Sequence, residues 1–135
     1  MSLDIASYVG IPYKDLGRTR EALDCWGLVC QFYKDQFNIE LPNYVTHTSE
    51  QANKLAAEVT ECSKDGSWEK VDGEPEYGDV IIFRIMAHPV HIGVYLEDDY
   101  FLHTFPKRDS CIENLTSLTW SNRKDGVYRW KKNLL

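Results

Sequence analysis

The sequence has no apolar run that approaches the length of a membrane span. Its longest runs, such as Val80 to Phe83, fall far short of the roughly 18–20 residues that cross a bilayer. The start, from Met1 to Ser7, has no basic residue and no apolar stretch of the roughly 7–15 residues that a secretory signal requires. We therefore expect no membrane segment and no export signal, with synthesis in the cytoplasm.

Positive charge is scarce. The sequence has 15 Lys and Arg against 21 Asp and Glu, which gives a formal net charge of −6. The basic residues are scattered, and Arg129, Lys131 and Lys132 form their one cluster. Nucleic-acid binding is driven largely by Lys and Arg that replace condensed counterions. The composition therefore argues against a nucleic-acid partner.

Cysteine is also sparse. Cys25, Cys30, Cys62 and Cys111 could pair as two disulfides, but a chain of 135 residues without an export signal does not depend on such a framework. We expect free thiols. A chain of this length fits one compact domain that buries about two thirds of its unfolded surface. The sequence predicts a single domain over residues 1–135.

The first half of the chain carries the helical signals. Apolar residues recur every three or four positions from Asp24 to Asn38, which predicts a helix. Asp24 is a suitable N-cap, Asn38 can adopt the left-handed cap conformation, and Pro42 keeps the helix from resuming. A second helix is predicted after Thr48, whose hydroxyl can pair with Gln51 in a capping box.

The second half carries the strand signals. Short apolar segments alternate there with turn residues, and an acidic turn, Glu97 to Asp99, joins two of them as a hairpin. Helices first and antiparallel strands second predict an α+β fold with N-terminal helices packed on an antiparallel β-sheet. The predicted strands are an edge strand near Trp68 to Val71, then Val80 to Ile85, Val90 to Leu96 and Tyr100 to Phe105, and weaker ones near Ser110 to Asn114 and Val127 to Trp130.

The hairpin register brings two histidines together. If Leu96 pairs with Tyr100 across a three-residue turn, Gly93 lies opposite His103. His91 then lies on the same face, diagonal to His103. Ile92, Val94, Leu96 and Leu102 lie on the other face, where an apolar core is expected. Gly93 would let another element approach the histidine face closely. A two-residue turn would reverse the faces.

Cys25 at the first turn of the predicted helix supplies a nucleophile for these histidines. The pKa of a thiol, about 8.5 when free, falls at a helix N-terminus and beside a protonated histidine. The unpaired N–H groups of the helix, including that of Cys25, can bind the oxyanion of an acyl-transfer intermediate. We expect His91 to exchange the thiol proton and His103 to orient the His91 ring.

Other readings of the same residue types remain open. Buried structural roles are expected for Cys30, Cys62 and Cys111. His47 and His88 lie near turns, and we expect them to be solvated. His88, His91, His103 and Cys25 could also form a zinc site, but their spacing lacks a cysteine pair and is a weak signal. We therefore predict no metal and no cofactor.

Five short segments resemble the successive motifs of the NlpC-type (NlpC/p-sixty) cysteine peptidases. The resemblance runs from about Tyr8 to Trp130, and the twelve-residue step between His91 and His103 agrees with it. The segments are Gly10-Ile11-Pro12-Tyr13, Asp24-Cys25-Trp26-Gly27-Leu28-Val29, the stretch from Pro75 to Phe83, His91-Ile92-Gly93-Val94-Tyr95, and Phe101-Leu102-His103.

The resemblance implies a papain-like core and hydrolysis of an amide in bacterial peptidoglycan, commonly between D-glutamate and a diamino acid. It implies that Cys25 is the nucleophile, His91 the base and His103 the third, orienting residue. Tyr13 would lie beside the cysteine and help to stabilise the oxyanion or the substrate. Asp24 would line the site and face a free substrate amine.

Trp26 distinguishes this chain from many secreted members, which carry Ser there. Trp26 and the closing segment from Gly126 to Trp130 are similar to members found in phage tails and prophages, which implies phage-tail partners. Substrate contact and a core anchor are equally good roles for Trp26. Two alternatives to a wall hydrolase stay open: a catalytically silent tail or wall-binding protein with the same fold, and acyl chemistry on a substrate outside the wall.

Overall fold

The protein is described by a computed structural model that covers residues 4–42, 67–85 and 88–131, with the backbone alone for residues 88–90. It begins with a 3₁₀ helix and a small hairpin, continues with one α-helix, and ends with six strands. None of the described helices is long and apolar enough to cross a membrane. The elements are the 3₁₀ helix Ile5–Tyr8, β1 Arg18–Thr19, β2 Ala22–Leu23, α1 Cys25–Phe37, β3 Trp68–Lys70, β4 Val80–Ile85, β5 His88–Tyr95, β6 Tyr100–His103, β7 Cys111–Asn114 and β8 Lys124–Trp130.

Helix α1 begins and ends where the sequence predicts. The Asp24 carboxylate accepts a hydrogen bond from the Gly27 N–H at 2.7 Å, and Asn38 closes the helix at φ 55°. Both caps satisfy backbone groups that a helix end leaves without partners. The second predicted helix, after Thr48, lies outside the described residues.

The six strands from β3 to β8 form one sheet in the order β3-β8-β4-β5-β6-β7. Every neighbouring pair is antiparallel, and β3 lies at an edge as predicted. The α+β class with a helix on an antiparallel sheet is confirmed. Strand β5 begins two residues before the predicted start, and β6 ends at His103 rather than at Phe105. The β1–β2 hairpin has two-residue strands, too short for hydrophobic alternation to show.

The β5–β6 register is the predicted one. Val94 pairs with Leu102, and Tyr95 pairs with Phe101. The Leu96 N–H donates to the Tyr100 carbonyl at 2.8 Å and closes the three-residue turn. The parity of the hairpin is therefore settled, and with it the face of each side chain.

Each face of the sheet has its own apolar cluster. The first lies under α1 and includes Ile92, Val94, Leu96 and Leu102, as predicted from the register. The second lies on the opposite face, where Trp120 packs on Phe83 and Phe101. The histidines belong to this second face, because the His91 ring stacks on Trp120 with centroids 5.7 Å apart.

Gly93 has a different role from the one expected. A Cβ atom built on it would lie 3.1 Å from the Leu102 carbonyl and 3.2 Å from both the His103 Cβ and the Phe101 ring. These three nearest atoms all belong to the neighbouring strand β6, which fills the space that the missing side chain leaves. Glycine at this position leaves room for the His103 side chain on the face of the sheet that carries His91.

Candidate active site

Cys25 is the first residue of α1, and the residue is 9% exposed. Its sulfur accepts hydrogen bonds from the backbone N–H groups of Ile92 and Trp26. The helix can begin here because Gly27 has no side chain: a Cβ on Gly27 would lie 2.0 Å from the Gly17 carbonyl. The helix and the β1–β2 hairpin thus hold the thiol beside β5, at Ile92, the residue that follows His91.

His91 and His103 form a buried pair. Nε2 of His91 lies 2.7 Å from Nδ1 of His103, and the two residues are 3% and 2% exposed. His91 uses Nε2 for this bond, which leaves Nδ1 as its other ring nitrogen. Within the described part of the chain no hydrogen bond joins Cys25 to His91. The Cys25 thiol is instead linked to the residue after His91, because the Ile92 N–H donates a hydrogen bond to it.

Glu113 extends the pair to a hydrogen-bonded chain of three residues, Glu113, His103 and His91, which we call the relay. Its Oε2 lies 2.6 Å from Nε2 of His103. A carboxylate only accepts hydrogen bonds, so the neutral His103 ring carries its proton on Nε2 and accepts at Nδ1. His91 must then donate from Nε2, which leaves the lone pair of its Nδ1 free. Glu113 therefore sets the tautomer in which Nδ1 of His91 can accept a proton.

Sequence reasoning did not include Glu113. It lies on β7, where Cys111 pairs with His103 and Glu113 pairs with Phe101. Cys111 and Glu113 alternate with the more exposed Ile112, and this alternation was the available signal. The register of β7 against β6 depends on the connection 104–110, which no sequence periodicity fixes.

Burial favours the neutral forms of Cys25 and His91. Burial, followed by the Asp24 charge, raises the pKa of the Cys25 thiol to about 12, and the N–H groups of Ile92 and Trp26 only partly oppose this. Burial, followed by the neighbouring His103, holds the pKa of His91 well below its usual value. The expectation that the helix N-terminus lowers the thiol pKa is therefore wrong, because desolvation outweighs the helix field.

Tyr13 lies close to the thiol. It bridges to Leu23, and its hydroxyl donates to Asp15 at 3.1 Å. Burial raises the pKa of Tyr13, and the neighbouring Cys25 raises it further. The phenol is thus a neutral O–H near the Cys25 thiol. Its role in holding an oxyanion or substrate stays a prediction.

Asp24 is occupied within the protein. Oδ1 accepts from the Gly27 N–H and from Arg18, each at 2.7 Å, and Oδ2 accepts from the Leu16 N–H at 2.9 Å. Both oxygens therefore hold the segment before α1 to the helix. A contact between Asp24 and a substrate amine stays a prediction.

Trp26 is a core residue. It is 1% exposed, its indole N–H donates to the Pro42 carbonyl at 3.0 Å, and its ring meets the edge of Trp68 at 6.3 Å. Of the two roles considered for Trp26, the structure shows the core anchor. Direct substrate contact would require the indole to leave this packing.

The other cysteines and histidines considered in the sequence have different environments. Cys30 packs against the first apolar cluster, in agreement with its predicted structural role. Cys111 is only half-buried beside His103, so its predicted core role is wrong, because β7 lies at the sheet edge. Cys25, Cys30 and Cys111 are free thiols, as expected. Cys62 and His47 lie outside the described residues, as does the side chain of His88.

The sequence and the fold are similar to those of known proteins. The model of the NlpC/P60 family matches residues 10–129. The chain belongs to the NlpC/P60 family. The match contains Tyr13, Cys25, both relay histidines and Glu113, and the family resemblance drawn from the motifs is confirmed.

Individual NlpC/P60 relatives bear this out. The chain is 23% identical over 124 residues to the murein DD-endopeptidase/murein LD-carboxypeptidase MepS of Escherichia coli strain K12, covering 92% of this chain and 58% of that protein. It is 30% identical over 82 residues to the tail tip assembly protein K of Escherichia phage N15, covering 59% of this chain and 34% of that protein. The chain thus spans little more than half the length of MepS.

A solved structure shows the same fold. The NlpC/p60 domain of the peptidoglycan hydrolase SagA superposes with a TM-score of 0.61 at 16% identity, covering 92% of this chain and 91% of that chain. At this identity the likeness establishes the fold alone. The expected papain-like α+β core is confirmed.

Proposed function

We propose that the chain is a cysteine peptidase that hydrolyses an amide bond in the stem peptides of bacterial peptidoglycan. The observation that carries this proposal is the chain of contacts from Glu113 through His103 to His91, next to the helix-terminal thiol of Cys25. The name of the E. coli relative, a murein endopeptidase, supports the wall peptide as substrate.

The chemistry starts from a neutral thiol and a neutral imidazole. Substrate entry brings the amide carbonyl against Sγ of Cys25, and Nδ1 of His91 takes the thiol proton as the carbon–sulfur bond forms. The N–H of Cys25, which has no acceptor among the described residues, can hold the developing oxyanion. Glu113 stabilises the imidazolium at His91 through His103.

The intermediate then collapses in two stages. The carbon–nitrogen bond breaks, and His91 gives its proton to the leaving amine, which leaves a thioester on Cys25. Water next attacks the thioester carbon while His91 takes one of its protons. The carbon–sulfur bond breaks, the acid product leaves, and the proton returns to the sulfur. The reaction written in this way uses no cofactor.

The finer assignments are part of the same proposal. The bond between D-glutamate and the diamino acid is the expected cleavage site, and phage-tail association is supported by the similarity to the tail tip protein of phage N15. We propose that the enzyme reaches the wall with a tail particle.

The test is digestion of purified peptidoglycan, followed by mass spectrometry of the soluble fragments. Wild type should release stem-peptide fragments whose masses identify the bond, whereas Cys25→Ala and His91→Ala should release none while remaining folded by circular dichroism. Cys30→Ala is the matched control, because it removes another thiol of α1 outside the site. Release by Cys25→Ala equal to that of wild type would remove the proposal.

A second candidate is a tail or wall-binding protein of the same fold without turnover. It is favoured by the protonated, largely buried thiol of Cys25, whose pKa is raised to about 12. This candidate predicts that folded wild type sediments with peptidoglycan and releases no fragment. Fragment release that requires Cys25 excludes it.

A further inference from the structure

Three metal-binding side chains converge at the outer end of the relay. His103 on β6, Cys111 on β7 and Glu113 on β7 each offer one donor atom, and these atoms lie within 4.8 Å of one another. Strand pairing builds the group, because Cys111 is directly opposite His103 and Glu113 follows two residues later on the same face. Among the described residues this is the one place where three such donors meet.

The spacing of the three donors is close to that of a tetrahedral zinc site. Sγ of Cys111 lies 3.6 Å from Nε2 of His103 and 3.8 Å from Oε2 of Glu113. Zinc with bonds of about 2.0–2.1 Å to nitrogen and oxygen and about 2.3 Å to sulfur holds its donor atoms about 3.3–3.6 Å apart. Two of the three separations are thus already near the required values.

The third separation needs one small movement. Nε2 of His103 and Oε2 of Glu113 are 2.6 Å apart, so the carboxylate would move outward by about 0.7 Å to reach a zinc-bound geometry. The Glu113 side chain is 28% exposed, so its carboxylate has solvent on one side. The same exposure gives the ion a route of entry and leaves a fourth position for water.

The charge and the surroundings also suit zinc. One thiolate and one carboxylate neutralise a divalent cation, which limits the cost of placing it beside a buried ring. Histidine, cysteine and glutamate are ligands that zinc accepts together. A zinc-bound histidine commonly donates its other ring N–H to a neighbour that orients it. His91 lies in that position, 2.7 Å from Nδ1 of His103.

We infer that His103, Cys111 and Glu113 form a zinc site whose occupation switches off the relay. Binding releases one proton, from the Cys111 thiol. The neutral His103 ring moves its proton from Nε2, which now binds the metal, to Nδ1. Nδ1 must then donate to Nε2 of His91, and the His91 proton moves to its own Nδ1. In this tautomer His91 has no lone pair for the proton of Cys25.

This site differs from the zinc alternative drawn from the sequence. That alternative used His88, His91, His103 and Cys25, and it shares only His103 with the donors that converge here. The inferred zinc is an inhibitor that binds behind the relay. The inhibition rests on the proposed peptidase activity, whereas the binding does not.

Binding is tested with Co²⁺, which reports thiolate ligation by a charge-transfer band in the near-ultraviolet. Reduced wild type should give this band, and one equivalent of Zn²⁺ should abolish it. Cys25→Ala and Cys30→Ser should keep the band, and Cys111→Ser should lose it. Glu113→Gln should weaken Zn²⁺ binding by about tenfold or more. It serves as the second variant if Cys111→Ser does not fold.

The consequence for the relay is read by nitrogen NMR of the histidine side chains. Addition of Zn²⁺ should move the His91 proton from Nε2 to Nδ1, and in the peptidoglycan assay it should inhibit wild type reversibly, with recovery on EDTA. A band that persists in Cys111→Ser, or no band in folded wild type, overturns the site. Metal binding with an unchanged His91 tautomer overturns the switch. Absence of any hydrolysis by wild type would count against the proposed function alone.

Discussion

At the scale of single residues, the position of one proton decides whether His91 can act as a base. Glu113 accepts a hydrogen bond of 2.6 Å from Nε2 of His103 and so fixes the proton of that ring on Nε2. Nδ1 of His103 must then accept the 2.7 Å hydrogen bond from Nε2 of His91, which fixes the tautomer of His91 as well. Glu113 bonds to His103 and lies 3.8 Å from the Cys111 thiol, and it acts on His91 only through His103. It is therefore a positioning residue, and its removal should affect turnover more than substrate binding.

Glu113→Gln tests this role. A glutamine amide can either donate to or accept from His103, so both tautomers of the relay become accessible. We expect kcat to fall by about tenfold, part of the ~10²–10⁴-fold that general acid–base catalysis contributes. KM should be unchanged. The measurement is steady-state hydrolysis of a defined stem peptide with EDTA present, so that metal binding plays no part.

The matched control is Glu97→Gln, an exposed carboxylate in the β5–β6 turn. It should leave kcat and KM as they are. Nitrogen NMR of His91 supplies a readout that a loss of packing would not move: the proton on Nε2 should be partly redistributed to Nδ1. An unchanged kcat together with an unchanged His91 spectrum would show that Glu113 does not set the tautomer.

The Cys25 thiol gives a prediction about pH. Because burial raises its pKa to about 12, the thiolate fraction should rise tenfold for each pH unit from acid to alkaline solution. We expect modification of Cys25 by iodoacetamide to be about a thousandfold slower at pH 6 than at pH 9. Mass spectrometry of the peptide that contains Cys25 measures the rate.

A free cysteine derivative run in parallel is the reference, because its rate levels off above its own pKa of about 8.5. Cys25 should show no such plateau over this range. A rate that is constant between pH 5 and pH 7 would instead indicate a preformed thiolate–imidazolium pair. The proton transfer from Cys25 to His91 would then precede substrate binding.

At the scale of elements, the start of α1 places the nucleophile, and Asp24 holds that start. Its carboxylate caps the Gly27 N–H, pairs with Arg18 and accepts the Leu16 N–H. The helix end, the β1–β2 hairpin and the segment before it are thus tied to a single side chain. Loss of this side chain should loosen all three.

Asp24→Ala is expected to lower the free energy of unfolding by about 2–4 kcal/mol, because it removes a helix cap and the ion pair between Asp24 and Arg18. Asp24→Asn retains an acceptor for Gly27 and should cost less than Asp24→Ala. Urea denaturation measures both. Asp4→Ala, which removes the cap of the exposed 3₁₀ helix, is the control and should cost about 1 kcal/mol or less. Equal losses for Asp24→Ala and Asp4→Ala would contradict the argument.

The elements also show which features the sequence could predict. Helix α1 was predictable because Asp24 and Asn38 are local signals at its two ends. The β5–β6 hairpin was predictable because a three-residue turn leaves one parity of pairing. The place of Glu113 beside His103 was not predictable, because the length of the connection between β6 and β7 does not determine the register in which they pair. The thiol pKa was not either, because the burial of Cys25 depends on β5 and on the β1–β2 hairpin.

At the scale of the whole molecule, the site joins two apolar clusters on opposite faces of one sheet. Cys25 belongs to the cluster under α1, whereas the relay histidines pack on the second face. Trp120, from the connection between β7 and β8, covers that face. Its ring lies 5.7 Å from His91 and 5.0 Å from His103, centroid to centroid. The orientation of the relay therefore depends on a residue distant in sequence from both histidines.

Trp120→Ala should distinguish the role of the second apolar cluster in catalysis from its role in stability. Removal of this buried indole is expected to cost about 3–5 kcal/mol of folding free energy, and it also leaves the His91 and His103 rings without the surface that holds them. Trp68→Ala is the matched control, because Trp68 is equally buried but lies in the first cluster, against Trp26 and Trp130.

Both variants should lose similar stability in urea denaturation, yet only Trp120→Ala should lose kcat when hydrolysis is measured under conditions where each is fully folded. Trp120→Phe keeps a ring over the histidines and should recover most of the turnover. If Trp68→Ala loses as much kcat as Trp120→Ala, catalysis follows overall stability rather than the packing of the relay. Because the two tryptophans lie on opposite faces of the same sheet, their comparison tests whether the second cluster orients the histidines or only adds to the stability of the fold.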